Sequence, residues 1–191
     1  MKMFKFSSLI FAAALAFTAS NVTHAADNYV IDTKGAHAFV QFRVKHLGYS
    51  WLYGRFNDFE GTFSYDAKDD KKNKVEVVVD MTSLDSNHAE RDKHLSAKKY
   101  LNSGKFGKAK FVSTKYETTG KDKAKMTGDL TFMGVTKPVV VDVTVIGGGD
   151  DPWGGYRQGF EGVTTISAKD FGMQAEIGEV ELIWSVEGIR K

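Results

Sequence analysis

The sequence lacks cysteine: none occurs among its 191 residues, and only two residues are proline. A chain without cysteine forms no disulfide framework and no thiolate metal site, and it offers no thiol nucleophile. The fold must therefore be stabilised by the packing of its core.

An excess of charge of one sign is also missing. The chain has 26 basic and 24 acidic residues, and residues 1–25 contain two of the basic ones, Lys2 and Lys5, and no acidic one. Residues 26–191 therefore have 24 of each sign. A neutral surface exerts no long-range attraction on nucleic acid, so the sequence predicts no nucleic-acid partner.

The apolar run near the N-terminus, residues 9–17, is far shorter than the ~20 residues that a membrane-spanning helix needs. Lys2 and Lys5 precede it, and Thr23 and Ala25 supply small residues where a signal peptidase cleaves. We predict that residues 1–25 are a cleaved signal peptide and residues 26–191 a single exported domain. The alternative is a retained anchor, which would leave backbone groups unpaired in hydrocarbon.

Beyond residue 25, apolar and polar residues mostly alternate. The clearest examples are residues 38–45, 75–81, 139–145 and 180–187. This period of two is typical of strands with one face in water, and it predicts eight or nine strands. Because the connections are short and polar, we predict an all-β fold, an antiparallel up-and-down barrel of about eight strands, whose closure removes exposed edges.

Residues 87–101 break the alternation, since they combine helix formers with no β-branched residue. Asn87 is expected to cap the first turn, with Glu90 reaching back to it as in a capping box. We predict one main helix here that closes an end of the barrel.

Three glycines, Gly61, Gly128 and Gly162, fall in mid-strand on the apolar face. Glycine there marks a bend or bulge that curls the sheet, or it keeps space open for an apolar ligand inside. Both interpretations stay open. The side chains predicted to line such a space, or simply to form the core, are Phe42, Val44, Phe63, Leu130, Val141, Ile166 and Trp184.

Signatures of catalysis and of cofactor binding are missing from the sequence. It contains no nucleophile elbow, no phosphate-binding loop and no dinucleotide fingerprint. The i,i+4 pairs His88/Asp92 and Glu90/His94 supply only two metal ligands each, which suits a solvated helix face. We therefore predict no catalytic residue, no cofactor and no metal site.

One group of polar residues is a candidate site. His46 continues the inward stripe of residues 40–44, and Arg91 and His94 share a helix face that can meet it. These groups either brace the helix or bind an anionic or carbonyl-bearing head group. The aromatic residues Tyr49, Trp51 and Tyr53 nearby would suit a rim that grips lipid and makes transient membrane contact.

Four segments resemble one known family. Residues 37–54 (HAFVQFRVKHLGYSWLYG) are similar to the signature start of the YceI-like family of periplasmic polyisoprenoid-binding proteins, and residues 87–95 resemble its helix motif. Residues 128–139 resemble its late hairpin, and residues 149–155 its loop. The motifs follow one another in order along residues 26–191.

The resemblance implies a lipocalin-like barrel in the periplasm, with an internal tunnel for a long isoprenoid or similar amphiphile. The expected function is non-enzymatic binding of a polyprenyl or quinone-like lipid for transport, storage or stress protection. One alternative is an enzyme that acts on such a lipid with His46 or His94 as base. The other is a packed barrel that binds a protein partner. The sequence leaves open whether the protein forms a homodimer.

Overall fold

The structure, a computed structural model, describes residues 25–191 of the chain. The predicted signal peptide, apart from Ala25, lies outside the described residues. The regular secondary structure of residues 25–191 consists of eleven antiparallel strands, one α-helix and three short 3-10 helices. The strands are β1 (Asp27–Ile31), β2 (Phe39–His46), β3 (Ser50–Phe56), β4 (Phe59–Tyr65), β5 (Lys74–Asp80), β6 (Leu84–Asp85), β7 (Lys108–Gly120), β8 (Lys123–Phe132), β9 (Val135–Asp150), β10 (Tyr156–Ser167) and β11 (Glu179–Arg190), and the helix is α1 (Ala89–Ser96).

Eight of these strands close a barrel. They follow the order β1-β4-β5-β7-β8-β9-β10-β11, and β1 pairs with both β4 and β11 to complete the ring. Every pairing in the ring is antiparallel. The predicted all-β antiparallel barrel is confirmed.

The ring leaves out β2, β3 and β6, and β11 has two partners on the same side. Its last residues pair with β1, whereas residues 180–185 pair with β2. β3 continues this extension beside β2, and the short β6 follows it. The β2–β3 hairpin therefore forms an extra piece of wall at one end of the barrel.

The start of the helix differs from the prediction, and the predicted capping box is wrong. The N-cap is His88, whose ring Nδ1 accepts a hydrogen bond from the Arg91 amide at 3.2 Å. Asn87 has a left-handed φ of 60° and lies outside the helix. A residue in that conformation leads into the cap rather than forming it.

The helix also ends earlier than predicted, at Ser96 rather than at residue 101. The chain folds back on itself there, because the Leu101 amide donates to the Leu95 carbonyl oxygen at 2.9 Å. Leu101 is buried in the core. Burial of this leucine outweighs the helix-forming composition of the segment, since composition is a weak preference.

Two of the three glycines on the apolar face, Gly128 and Gly162, lie against neighbouring rings. A side chain at Gly128 would overlap the ring of Phe111 on the adjacent strand, and one at Gly162 would contact both Val141 and Trp184. Gly128 also lies opposite a bulge, because the register of β7 shifts between residues 113 and 115. For Gly128 the structure therefore agrees with the interpretation as a bulge site, and the Phe111 ring occupies the space beside it.

An ion-pair cluster around Arg157 lies at the end of the barrel where β10 begins and β11 ends. Its guanidinium donates to Asp32 at 2.7 Å and to Asp151 at 2.9 Å, and it also contacts Glu187. Hydrogen bonds to Asp32 from the Arg157 guanidinium, from the Gly35 amide and from the His37 ring lower its pKa to about 2. Charged groups with this many partners act as a brace. None of these four charged residues lines either of the two cavities described below, so we call this end of the barrel the closed end and the four residues the closed-end cluster.

Within residues 25–191, no helix is both long and apolar enough to cross a membrane.

Candidate functional site

The end of the barrel opposite the closed-end cluster contains a cavity of about 480 Å³. β2, β3 and α1 contribute residues to its walls, together with the inward faces of β8, β10 and β11. Its size lies in the ~300–1,000 Å³ range of small-molecule sites. The barrel interior is therefore open at this end rather than filled by side chains.

Most of the predicted lining residues lie on this cavity. Phe42 and Val44 reach it from β2, Leu130 from β8, Ile166 from β10 and Trp184 from β11. Each occupies an inward position because alternate residues of a strand face the same side of the sheet. Their contact with a ligand stays a prediction.

The other two predicted lining residues, Phe63 and Val141, lie on a second cavity of about 90 Å³. This smaller space lies nearer the closed end and is almost wholly apolar, with Phe111 and Met126 among its walls. Tyr116 also lines it, and burial raises the pKa of that phenol to about 12. We call the two spaces the large and the small cavity.

The three predicted head-group residues meet at the mouth of the large cavity. His46 lies at the end of β2, and Arg91 and His94 lie three residues apart on α1, so they share one helix face. His46 and His94 are exposed, and Arg91 is partly buried. Strand and helix thus bring together residues that are far apart in sequence.

Arg91 also braces the helix. Its Nε donates to Ser86 Oγ at 2.8 Å and its Nη2 to the Ser86 carbonyl oxygen. The Ser86 hydroxyl in turn donates to Asp92. The bracing role foreseen for these polar groups is therefore present for Arg91, and it fixes the guanidinium at the mouth.

One wall of the mouth, formed by the segment before β11, was not predicted from the sequence. Met173 and Ile177 line the large cavity from the segment before β11, and Ala175 beside them is buried. The Ala175 amide donates to the Lys99 carbonyl oxygen at 2.9 Å, which ties this segment to the chain after α1. The alternation of residues 173, 175 and 177 was the available signal.

The tip of the β2–β3 hairpin presents large apolar side chains to solvent beside the mouth. Leu47 is 76% exposed and Tyr49 is 86% exposed. The Arg43 guanidinium lies 4.5 Å from the centre of the Trp51 ring, and the Lys45 ammonium lies 5.8 Å from it. Leu47 and Lys45 also line the large cavity. The hairpin therefore joins exposed apolar groups, cations and the mouth.

Within residues 25–191, one trio has ligand atoms close enough together to hold a metal ion: Asp32, His37 and Glu187, within 4.8 Å of one another. Arg157 donates to both carboxylates of this trio. The guanidinium supplies the positive charge that a metal would bring, and it would repel a cation. This arrangement does not suit a metal.

The fold and the sequence both have known relatives. Residues 29–187 match the YceI-like domain. The chain is 54% identical over 189 residues to a UPF0312 protein of Pseudomonas aeruginosa (strain LESB58), with 97% of each chain covered. Its fold matches the crystal structure of the Campylobacter jejuni YCEI protein with a TM-score of 0.70 and 28% identity, over 78% of this chain and 90% of that one.

A third likeness concerns the fold alone. The structure of a polyisoprenoid binding domain from Saccharophagus degradans matches with a TM-score of 0.61 at 13% identity, over 85% of this chain and 98% of that domain. The resemblance seen in the four sequence motifs is thus confirmed along the whole barrel. With more than half of its length matched by the domain, this chain belongs to the YceI-like family.

Proposed function

We propose that the protein is a non-enzymatic carrier of a long isoprenoid or similar amphiphile. The tail would lie in the large cavity, and the head group would lie at the mouth beside His46, Arg91 and His94. The observation that carries the proposal is an apolar cavity of about 480 Å³ with these polar groups at its opening. Each buried methylene contributes ~0.8 kcal/mol, so the tail supplies most of the affinity.

The polar groups at the mouth suit a head group that accepts hydrogen bonds. Arg91 and Lys45 are cationic donors, and His46 and His94 add ring nitrogens. Glu176 lines the same opening and supplies one negative charge. A phosphate or carbonyl oxygen would find donors here, and charge-assisted bonds to phosphate are about twice as strong as neutral ones.

The YceI-like family and the fold shared with the Saccharophagus degradans polyisoprenoid binding domain support a lipid ligand. We propose that the ligand is a polyprenyl or quinone-like chain, carried for transport, storage or stress protection.

The serine at the mouth supports binding rather than catalysis. Ser86 Oγ donates to Asp92 and accepts from Arg91. A hydroxyl engaged in this way braces the helix and is not paired with a histidine base, as an activated nucleophile would be.

We further propose a periplasmic location and a mouth that faces a membrane during loading. The predicted signal peptide supports the first part. The exposed Leu47 and Tyr49 beside the mouth support the second, because such side chains partition into the interface between water and lipid.

Mass spectrometry of an organic extract of the purified protein tests the proposal. The wild type is expected to release an isoprenoid chain, or to take one up after delipidation. Leu130→Trp, which fills the large cavity, should lower uptake about tenfold, whereas Ile146→Trp on the outer surface should not. Circular dichroism establishes that both variants fold. A wild type that releases no lipid and takes up none would refute the proposal.

A further inference from the structure

The barrel interior is divided at Trp184. Among the described residues, the linings of the large and the small cavity share this side chain alone. Trp184 lies midway along β11, where its cross-strand partner on β10 is Gly162. The indole therefore stands between the two cavities.

Residues of β10 and β7 lie against this indole. A Cβ at Gly162 would lie 3.6 Å from Trp184 Cε3, in ordinary van der Waals contact, so the indole packs directly beside the glycine. The Phe111 ring lies on the other side, with its centre 6.2 Å from that of Trp184 and the planes tilted by 34°. Phe111 in turn lies over Gly128. Two rings, each beside a glycine, form a wall across the barrel.

We propose that Trp184 is the specificity-determining residue for chain length, because it sets how deep an apolar chain enters the barrel. The inference rests on the proposed function, since it needs a chain in the large cavity. A chain that fills the space above the wall finds the small cavity of about 90 Å³ beyond it, lined by apolar side chains but blocked by the indole.

If Trp184 blocks the way to the small cavity, affinity should rise with chain length only until the chain fills the large cavity. Above the wall, each added methylene should strengthen binding about fourfold, which is the ~0.8 kcal/mol of its burial expressed as a ratio. A chain longer than the large cavity gains nothing further, because its extra carbons remain in solvent or fold back. The affinity therefore reaches a plateau at a defined length.

The experiment uses a homologous series of linear prenols, from geraniol upward, titrated into the delipidated protein and its variants. Trp184→Ala joins the two cavities, so its plateau should move to longer chains. The first prenol beyond the wild-type plateau should gain at least about tenfold, the effect of burying about two of its five added carbons. Trp184→Phe keeps a ring in place and should shift the plateau less. Trp153→Ala replaces an exposed tryptophan at the closed end and should leave the plateau where it is.

Phe111→Ala opens the same wall from the other side and covers the case in which Trp184→Ala fails to fold. If a folded wall variant binds prenols with the wild-type plateau, the role of Trp184 is refuted while the proposed function stands. If the wild type itself binds no prenol, the proposed function and the inference resting on it both fail.

Discussion

The two ends of the barrel use their charges in opposite ways. At the closed end, Arg157 is hydrogen-bonded to Asp32 and Asp151 and paired with Glu187. At the mouth, His46, Arg91 and His94 surround the opening of an apolar cavity, with Glu176 as the carboxylate among the residues that line it. At the closed end the charged groups pair with one another, whereas at the mouth they surround an opening through which a ligand can enter.

This comparison indicates that the closed end contributes to the stability of the fold and the mouth to ligand binding. Substitutions at the closed end should change the free energy of unfolding and leave ligand uptake alone. Substitutions of His46 and His94 at the mouth should change ligand uptake and leave the free energy of unfolding alone, whereas Arg91 also braces α1.

Arg157→Leu should destabilise the protein several times more than Arg190→Leu, because it leaves Asp32, Asp151 and Glu187 clustered without their cation. The free energy of unfolding in urea at neutral pH measures this effect. Arg190→Leu is the matched control, since Arg190 makes an exposed pair with Asp27 at 3.5 Å and should cost less than about 1 kcal/mol. Equal costs for the two variants would contradict the role given to the closed-end cluster.

Asp32 should make the stability of the fold depend on acid. Its pKa is lowered from 3.8 to about 2 in the folded protein, mainly by the hydrogen bond from Arg157. The stabilisation, about 2 kcal/mol, is fully present above pH 4 and is lost as the pH falls towards 2. Unfolding measured across this window should show the loss in the wild type and a smaller one in Asp32→Asn. Identical pH profiles would show that Asp32 contributes nothing.

Arg91→Gln should weaken the binding of a prenyl phosphate about tenfold and that of the corresponding prenol much less, because it removes a charged donor from the mouth. Titration of both ligands separates the head-group effect from the tail. Arg55→Gln, which breaks an exposed pair with Asp85 at 3.0 Å, is the control. Arg55 is absent from the residues that line the large cavity. An equal loss for both ligands would assign Arg91 to bracing alone.

The double variant Leu47→Ser/Tyr49→Ser should lower binding to anionic phospholipid vesicles about fivefold, since each substitution removes exposed apolar area from the hairpin tip. Co-sedimentation with the vesicles gives the measurement. Ile146→Ser and Trp153→Ser, exposed residues of β9 and of the closed end, are matched controls. Equally large losses in the controls would mean that any exposed apolar side chain contributes to vesicle binding. They would contradict the proposal that the mouth faces the membrane.

The sequence predicts the barrel and much of the large cavity because both follow from local alternation. Phe42, Val44, Leu130 and Ile166 are placed correctly since every second residue of a strand faces inward. The start of α1, by contrast, was predicted incorrectly. Asn87 has the composition of a cap but adopts a left-handed conformation, and His88 caps the helix instead.

The division of the interior and the closed-end cluster could not be predicted from local patterns. Trp184 faces Gly162 only through the register of β10 and β11. Arg157 and Asp32 lie 125 residues apart and meet only because the barrel closes. Long-range register decides such contacts, and a single sequence contains no direct record of it. The same reason explains why Phe63 and Val141, predicted to share one tunnel with Phe42, line the small cavity.

The most direct test of the account is a crystal structure of the delipidated protein soaked with a long-chain prenyl phosphate. We predict electron density for the tail between Leu130 and Ile166, ending at Trp184, with the phosphate beside Arg91 and His94. A chain bound on the outer surface, or a large cavity that holds only water when the ligand is saturating, would contradict the account.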